Sequence, residues 1–297
     1  MAPSPAEQIA AYLRSGEHDS SFAAWPGENF LARATNGNAA LRDALLATVR
    51  ARTAHARVPP SLTGLDVPAF TRAKVAPMVQ SLFSPAEQPA VLEMLARSVV
   101  FLTPAAIDAV LQEAHWLGTA WDLANLYLAS CGARLLSDDA PAILGLSEET
   151  TCYVSMEYFR STGRFDDFVV HEAAHIFHDC KRATIGLPET RTREWLLPID
   201  YRRRETFAYA CESYSRILEL GRSRREREAL LEELEQGPLP ADSKVDHEEY
   251  VGILREAVAA RNGFRRILRR CAPLRKGPAE GQTARWIRSK CASPCRH

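Results

Sequence analysis

The sequence predicts a mainly α fold of the α+β class, with a short β-hairpin or small sheet set among helices. Two observations carry this. Apolar residues recur at spacings of three and four along most of the chain, the period of a helix with one buried face. One stretch, 142–156, is instead rich in Ile, Thr, Tyr and Val, the residues that suit a pleated strand. Composition supports a packed domain: of 297 residues, 46% are hydrophobic and 25% charged, which excludes a disordered or collagen-like chain.

Helical periodicity marks 6–13, 38–55, 84–100, 104–116 and 119–129. Ser84-Pro85 and Thr103-Pro104 each place a capping hydroxyl before a first-turn proline. Pro59-Pro60 and Pro68 read as turns. The texture changes near 135. Strands are expected at 142–146 and 150–156, on either side of Ser147-Glu148-Glu149. Helices are then expected at 166–181 and 202–220, separated by a loop holding Gly186, Pro188 and Pro198. Further helices are expected at 222–236 and 246–261, around a Gly237-Pro238-Leu239-Pro240 break. The chain thus divides into an N-terminal helical region (1–135), a central core (136–240) and a helical, basic C-terminal segment (241–297).

Charge sums to zero over the whole chain, with 37 basic and 37 acidic residues. Its distribution is uneven: residues 254–297 hold 12 Lys/Arg against Glu256 and Glu280, a surplus of ten. Such a segment could bind nucleic acid or an anionic surface. Docking on the acidic remainder of its own chain is the plainer expectation. Phe264 and Trp286, its only aromatics, are too few to stack bases. No apolar run approaches the ~20 residues of a membrane helix. Seven cysteines, an odd number, favour reduced thiols over a disulfide framework. With no secretory pattern at the N-terminus, the expected setting is cytoplasmic.

Chemistry enters at His171-Glu172-Ala173-Ala174-His175. On a helix, residues four apart share a face one turn apart, so His171 and His175 can grip one metal ion. Glu172 sits one step round, placed to take a proton from a water without ligating the metal. Val169, Val170, Ile176 and Phe177 flank the pentad, so the helix is expected to be buried. Three polar side chains on a buried apolar helix are costly to desolvate without a partner, and a metal ion is the natural one. His178 is close to the same face and could be an alternative ligand.

A catalytic zinc site usually takes three protein ligands. Glu205-Thr206-Phe207-Ala208, in the next long helix, supplies a carboxylate. Together the two motifs resemble the ligand helices of gluzincin metallopeptidases. Glu-x-Phe-Ala is similar to the Glu-Gly-Phe-Ala of zinc aminopeptidases. It is closer to the Glu-Phe-Phe-Ala of lethal-factor-like and Mlc-titration-factor peptidases, some with a glutamate seven residues on, where Glu212 stands here. The resemblance spans 158–212. It implies a zincin-like core, Glu205 as third ligand of Zn2+, and Phe207-Ala208 packed against the histidine helix. It also implies a tyrosine near the ligand helix as oxyanion donor, with Tyr201 the first choice, then Tyr209 and His247. Glu212 is the runner-up ligand, or an acceptor for an imidazole N–H. Arg202-Arg203-Arg204 stand where the aminopeptidases have an acidic pair, which argues against a close aminopeptidase relative.

The expected function is therefore a zinc metallopeptidase acting on a peptide or protein substrate, with Glu172 as general base. Two histidines and a carboxylate would also suit Fe2+ in a 2-oxoglutarate oxygenase, with Arg202, Arg203 or Arg204 holding the co-substrate. A metal-stabilised binding module is the third possibility. Cys291-Ala292-Ser293-Pro294-Cys295 is too short a cluster to stand as a second metal site.

Overall fold

The structure, a computed structural model, describes residues 3–140, 143–148, 150–160, 163–190 and 193–273. Among these residues there are eleven α-helices and a three-stranded mixed sheet, the mainly α composition that the periodicity predicts.

The N-terminal helices are α1 (Pro5–Ser15), α2 (Phe30–Arg52), α3 (Val67–Leu82) and α4 (Gln88–Ser98). Local chemistry sets their starts. Ser4 and Glu7 exchange a reciprocal cap at α1, and Asn29 and Asp66 cap α2 and α3. The whole of α3 lies where a turn was expected at Pro68. That proline stands in the helix's first turn, where its missing N–H costs nothing, while Pro77 lies inside the helix. Two prolines in sixteen residues mask the helical period.

The helix expected over 84–100 is also corrected. Ser84–Glu87 form a lead-in turn, and the chain leaves α4 to form strand β1 (Val99–Phe101). Three consecutive large apolar residues, two of them β-branched, favour that strand over another helical turn. Helices α5 (Ile107–Glu113) and α6 (Leu117–Ser130) follow, the latter buried over most of its surface.

Strands β2 (Gly145–Glu148) and β3 (Thr151–Val154) form the expected hairpin, but β2 begins three residues late. Ser147 and Glu148, expected in the turn, pair with Cys152 and Thr151. The order is β1-β3-β2, with β1 parallel to β3 and β2 antiparallel on the edge. The sheet therefore draws a strand from each side of the boundary placed near 135.

Helix α7 (Phe168–Asp179) packs beneath β2 and β3 and lies along α8 (Arg204–Leu220) and α3. Its apolar face is fully buried at Val169, Val170, Ala173, Ala174, Ile176 and Phe177. A loop returns from α7 and ends in a single 3-10 turn, Tyr201–Arg203, leading into α8. Helices α9 (Arg224–Gln236), α10 (His247–Ala259) and α11 (Gly263–Cys271) complete the described chain, with α10 and α11 against α8. One continuous apolar core joins these elements. Within the described part of the basic segment, Arg266 and Arg270 of α11 pair with Glu256 of the same segment, and Arg270 also reaches Glu249, outside it, at 3.8 Å.

Candidate metal centre

His171 and His175 project from the one face of α7 that is not sealed into the core. Their Nε2 atoms lie 3.2 Å apart. Glu205, in the first turn of α8, brings Oε2 to 3.3 Å from His175 Nε2. The three ligand atoms all lie within 4.8 Å of one another, so these side chains form a group able to hold a metal ion.

The outer hydrogen bonds decide where the imidazole lone pairs point. His171 Nδ1 lies 2.9 Å from Glu212 Oε2, and the carboxylate can only accept there, so Nδ1 carries the proton. Glu212 is fixed in turn by the Asp167 N–H, which donates to Oε1 at 2.7 Å. On the other ligand, His175 Nδ1 meets His178 Nε2 at 3.1 Å, and His178 Nδ1 meets Asp179 Oδ1 at 2.8 Å. The terminal carboxylate accepts, so His178 donates through Nδ1 and accepts through Nε2, and His175 donates through Nδ1. With both imidazoles neutral, the two Nε2 lone pairs face one another, and the contact at 3.2 Å then calls for a cation between them, either a metal ion or a proton on His171.

The spacing suits a divalent ion. Two nitrogens 3.2 Å apart subtend about 103° at an ion bonded at about 2.05 Å. The His175–Glu205 pair, at 3.3 Å, subtends about 105° for typical N and O bond lengths. Both angles are near tetrahedral. Charge favours a cation as well. Burial alone would lower the His171 pKa, but the hydrogen bond and charge of Glu212, with the charges of Glu172 and Glu205, raise it to about 9. Burial would raise Glu205, yet His175, His171 and Lys244 hold it at about 2, an ionised ligand.

Glu172 faces the same cleft. It is only 6% exposed, and Ser147 Oγ donates to its Oε2 at 2.5 Å. It lies so close over β2 that a Cβ on Gly145 would come within 2.6 Å of its Cγ. Glycine is needed there for space and not for backbone shape, since Gly145 is not among the positive-φ residues.

A cleft of about 980 Å3 opens above these groups. Its lining includes Asp122, Ile143–Ser147, Tyr201, Arg204, Tyr209 and Lys244. Tyr201 lies on the rim, 75% exposed, with the Arg204 guanidinium 3.8 Å over its ring. Tyr209 is nearer the ligands: its ring meets that of His171 edge-on at 4.4 Å. Burial first, then the charges of Glu212, Asp242, Glu205 and Glu172, push the Tyr209 phenol up to about 12, so it remains an O–H donor.

His247 is not brought here; its Nε2 bonds the Pro240 carbonyl at 2.7 Å. His178 supports His175 at Nδ1 and stands outside the ligand group. Of the three arginines, Arg203 turns to Glu249 and the Arg270 carbonyl, and Arg204 alone lines the cleft. Cys180 and Cys211 are buried thiols. Cys291 and Cys295 fall outside the described residues.

Three participants had no local signature. Ser147 was expected in a turn. Lys74 of α3 pairs with Asp167 at 2.9 Å and so backs the Glu212–His171 contact. Lys244, from the loop before α10, approaches Glu205 Oε1 to 3.6 Å. Asp179 could have been suspected from its place directly after His178. In comparisons with protein-family models, curated proteins and solved structures, nothing was found that matches this chain.

Proposed function

We propose that this chain is a zinc-dependent peptidase with a zincin-like core. The observation that carries the reading is the convergence of His171, His175 and Glu205 in one cleft with a buried carboxylate, Glu172, that is not among the ligands. A divalent ion in such a group supplies Lewis acidity, polarising a carbonyl and acidifying a water. Glu172 accepts the proton of the attacking water and passes it to the leaving nitrogen. Ser147 holds Glu172 at Oε2 and leaves Oε1 for that exchange. The developing oxyanion requires a donor, and the contact with His171 favours Tyr209 over Tyr201 for that role. β2 is the edge strand of the sheet and Gly145–Ser147 line the cleft, so an extended peptide can add there as a further strand. Among the described residues no helix is long and apolar enough to cross a membrane. The buried thiols Cys152, Cys211 and Cys271 suit a reducing, cytoplasmic setting.

The test is elemental analysis of the purified protein combined with mass spectrometry of a peptide pool. The expected result is one zinc per chain, cleavage by the wild type, and a Glu172→Gln variant that keeps its zinc but loses cleavage. Iron in the site with consumption of 2-oxoglutarate would transfer the same ligands to an oxygenase. Undiminished cleavage by Glu172→Gln would remove the general base from the mechanism.

A further inference from the structure

Resting on the peptidase reading, we infer that Arg204 and Lys244 form a receptor for the terminal carboxylate of a peptide, which makes the enzyme a carboxypeptidase. Both side chains line the cleft and converge on one atom, Glu205 Oε1, with Arg204 Nε at 3.4 Å and Lys244 Nζ at 3.6 Å. Two cations thus share a single carboxylate whose other oxygen points to the metal ligands. Neither has another ion-pair partner among the described residues.

Arg204 is held ready for a second anion. Its guanidinium is stacked on Tyr201 at 3.8 Å, and its side chain is only 20% exposed. Neither Nη atom donates a hydrogen bond among the described residues, so the end of the fork that matches a carboxylate is unengaged. Lys244 is 59% exposed and adaptable. The nearby Asp242 is turned into its own loop, where its Oδ1 accepts the Lys244 N–H at 2.8 Å.

Distance selects the substrate group. The oxygen on which the two cations converge, Glu205 Oε1, belongs to the same carboxylate as Oε2, the oxygen beside His175. The carboxylate carbon of a peptide's last residue lies about 3–4 Å from the carbonyl carbon of the bond that joins that residue to the chain. A receptor this close suits the carboxylate of the departing residue. The same chemistry would accept a carboxylate of 2-oxoglutarate, so the test must separate the two.

The zinc-loaded full chain carrying Glu172→Gln is titrated by fluorescence anisotropy with a labelled pentapeptide, as free acid and as C-terminal amide, with 2-oxoglutarate as competitor. The free acid is expected to bind about 10- to 100-fold more tightly than the amide, as suits charge-assisted hydrogen bonds. That preference should collapse in Arg204→Ala and in Lys244→Ala when each is compared with the parent at saturating zinc, its occupancy verified by elemental analysis. The exposed Lys244 serves as the arm least able to disturb folding. Equal binding of acid and amide overturns the receptor, as does a preference that survives both substitutions. Tighter binding of 2-oxoglutarate than of the peptide assigns the receptor to a co-substrate and overturns the peptide class.

Products of the zinc-loaded wild type give the second readout. Release of the last residue from the acid, with the amide spared, supports the inference. Internal cleavage of both peptides overturns it and leaves the peptidase reading standing. Two intact peptides overturn that reading and the carboxypeptidase with it, while the binding titration still decides whether the receptor itself exists.

Discussion

Replacing Gly145 by alanine would separate the role proposed for Glu172 from the proposed metal site. An added Cβ would lie 2.6 Å from Glu172 Cγ and 2.7 Å from its Cδ. Real Cβ contacts seldom fall below 3.4 Å, so Glu172 or the strand must yield by about 0.8 Å. Neither has room. Glu172 is almost fully buried, its carboxylate is tied to Ser147, and β2 is registered on β3 at Gly145 itself. Misplacing a reacting group by about 1 Å costs on the order of 100-fold in rate, and overpacking costs about 1–3 kcal/mol of stability. His171 and His175 lie on another face of α7, and among the described residues no hydrogen bond joins the strand to Glu205. Gly145→Ala should therefore keep its zinc, melt somewhat lower, and lose about 100-fold in kcat/KM. In a Glu172→Gln background the same substitution should cost nothing further in rate. The measurements are metal content, urea denaturation and kinetics on a free-acid peptide. A kcat/KM within threefold of wild type, with the substitution confirmed, refutes the placement of Glu172 as base.

Three other perturbations probe the surroundings. Glu212→Ala leaves the His171 Nδ1–H and the Asp167 N–H without acceptors, and zinc affinity should fall about 10- to 100-fold in competition with a chelating dye; unchanged affinity would contradict the assigned tautomer. Tyr209→Phe should lower kcat by about 100-fold or more, whereas Tyr201→Phe, which keeps the ring under Arg204, should change it by less than about threefold; the reverse order would restore Tyr201 as the oxyanion donor. Glu87 reports on acid stability. Burial would raise its carboxyl, but Arg182, Ser84 and Arg193 hold it at about 2 against an ordinary 4.5. A depressed folded value gives stability that is present above pH 4.5 and lost as pH falls toward 2. Glu87→Gln should thus cost about 3 kcal/mol at pH 7 in urea titrations, and its deficit should close between pH 4.5 and 2; a deficit constant with pH would show that the ion pair to buried Arg182 is not its source.

The parts of the site legible in the sequence are those with local causes. His171 and His175 need only the four-residue spacing of a helix to share a face, and Glu172 follows from its place in the same turn. Glu205 required a resemblance, because nothing local ties a carboxylate thirty residues downstream to an imidazole. Lys74 and Lys244 had no such aid: each reaches the site from another element, and an isolated lysine in a surface-like context carries no sign of its destination. Fold errors have equally specific origins. Strand β1 continues directly from α4 without a turn residue, so the helical period conceals it. Helix α3 is hidden by its prolines. The hairpin is legible in the sequence, but its boundaries matter here, because the later span of β2 moves Ser147 from a turn to the partner of the Glu172 carboxylate.

The missed strand and helix also change what the N-terminal half does. Through β1 it supplies one edge of the sheet under which α7 lies, and through Lys74 it supplies the cation that ends the first relay, His171–Glu212–Asp167–Lys74. The second relay, His175–His178–Asp179, stays on α7 and ends at an exposed carboxylate. The two imidazoles are therefore not equivalent. His171 is fixed by buried partners drawn from α3, α7 and α8, and moving it means moving three packed helices. His175 is held by a single helix and by water-accessible Asp179, and it shares with Glu205 the side of the site that Arg204 and Lys244 border. A site built this way has one rigid ligand to set the position of an ion and one adjustable edge at which a substrate can be accommodated. The N-terminal helices belong to that rigid half as surely as α7 does.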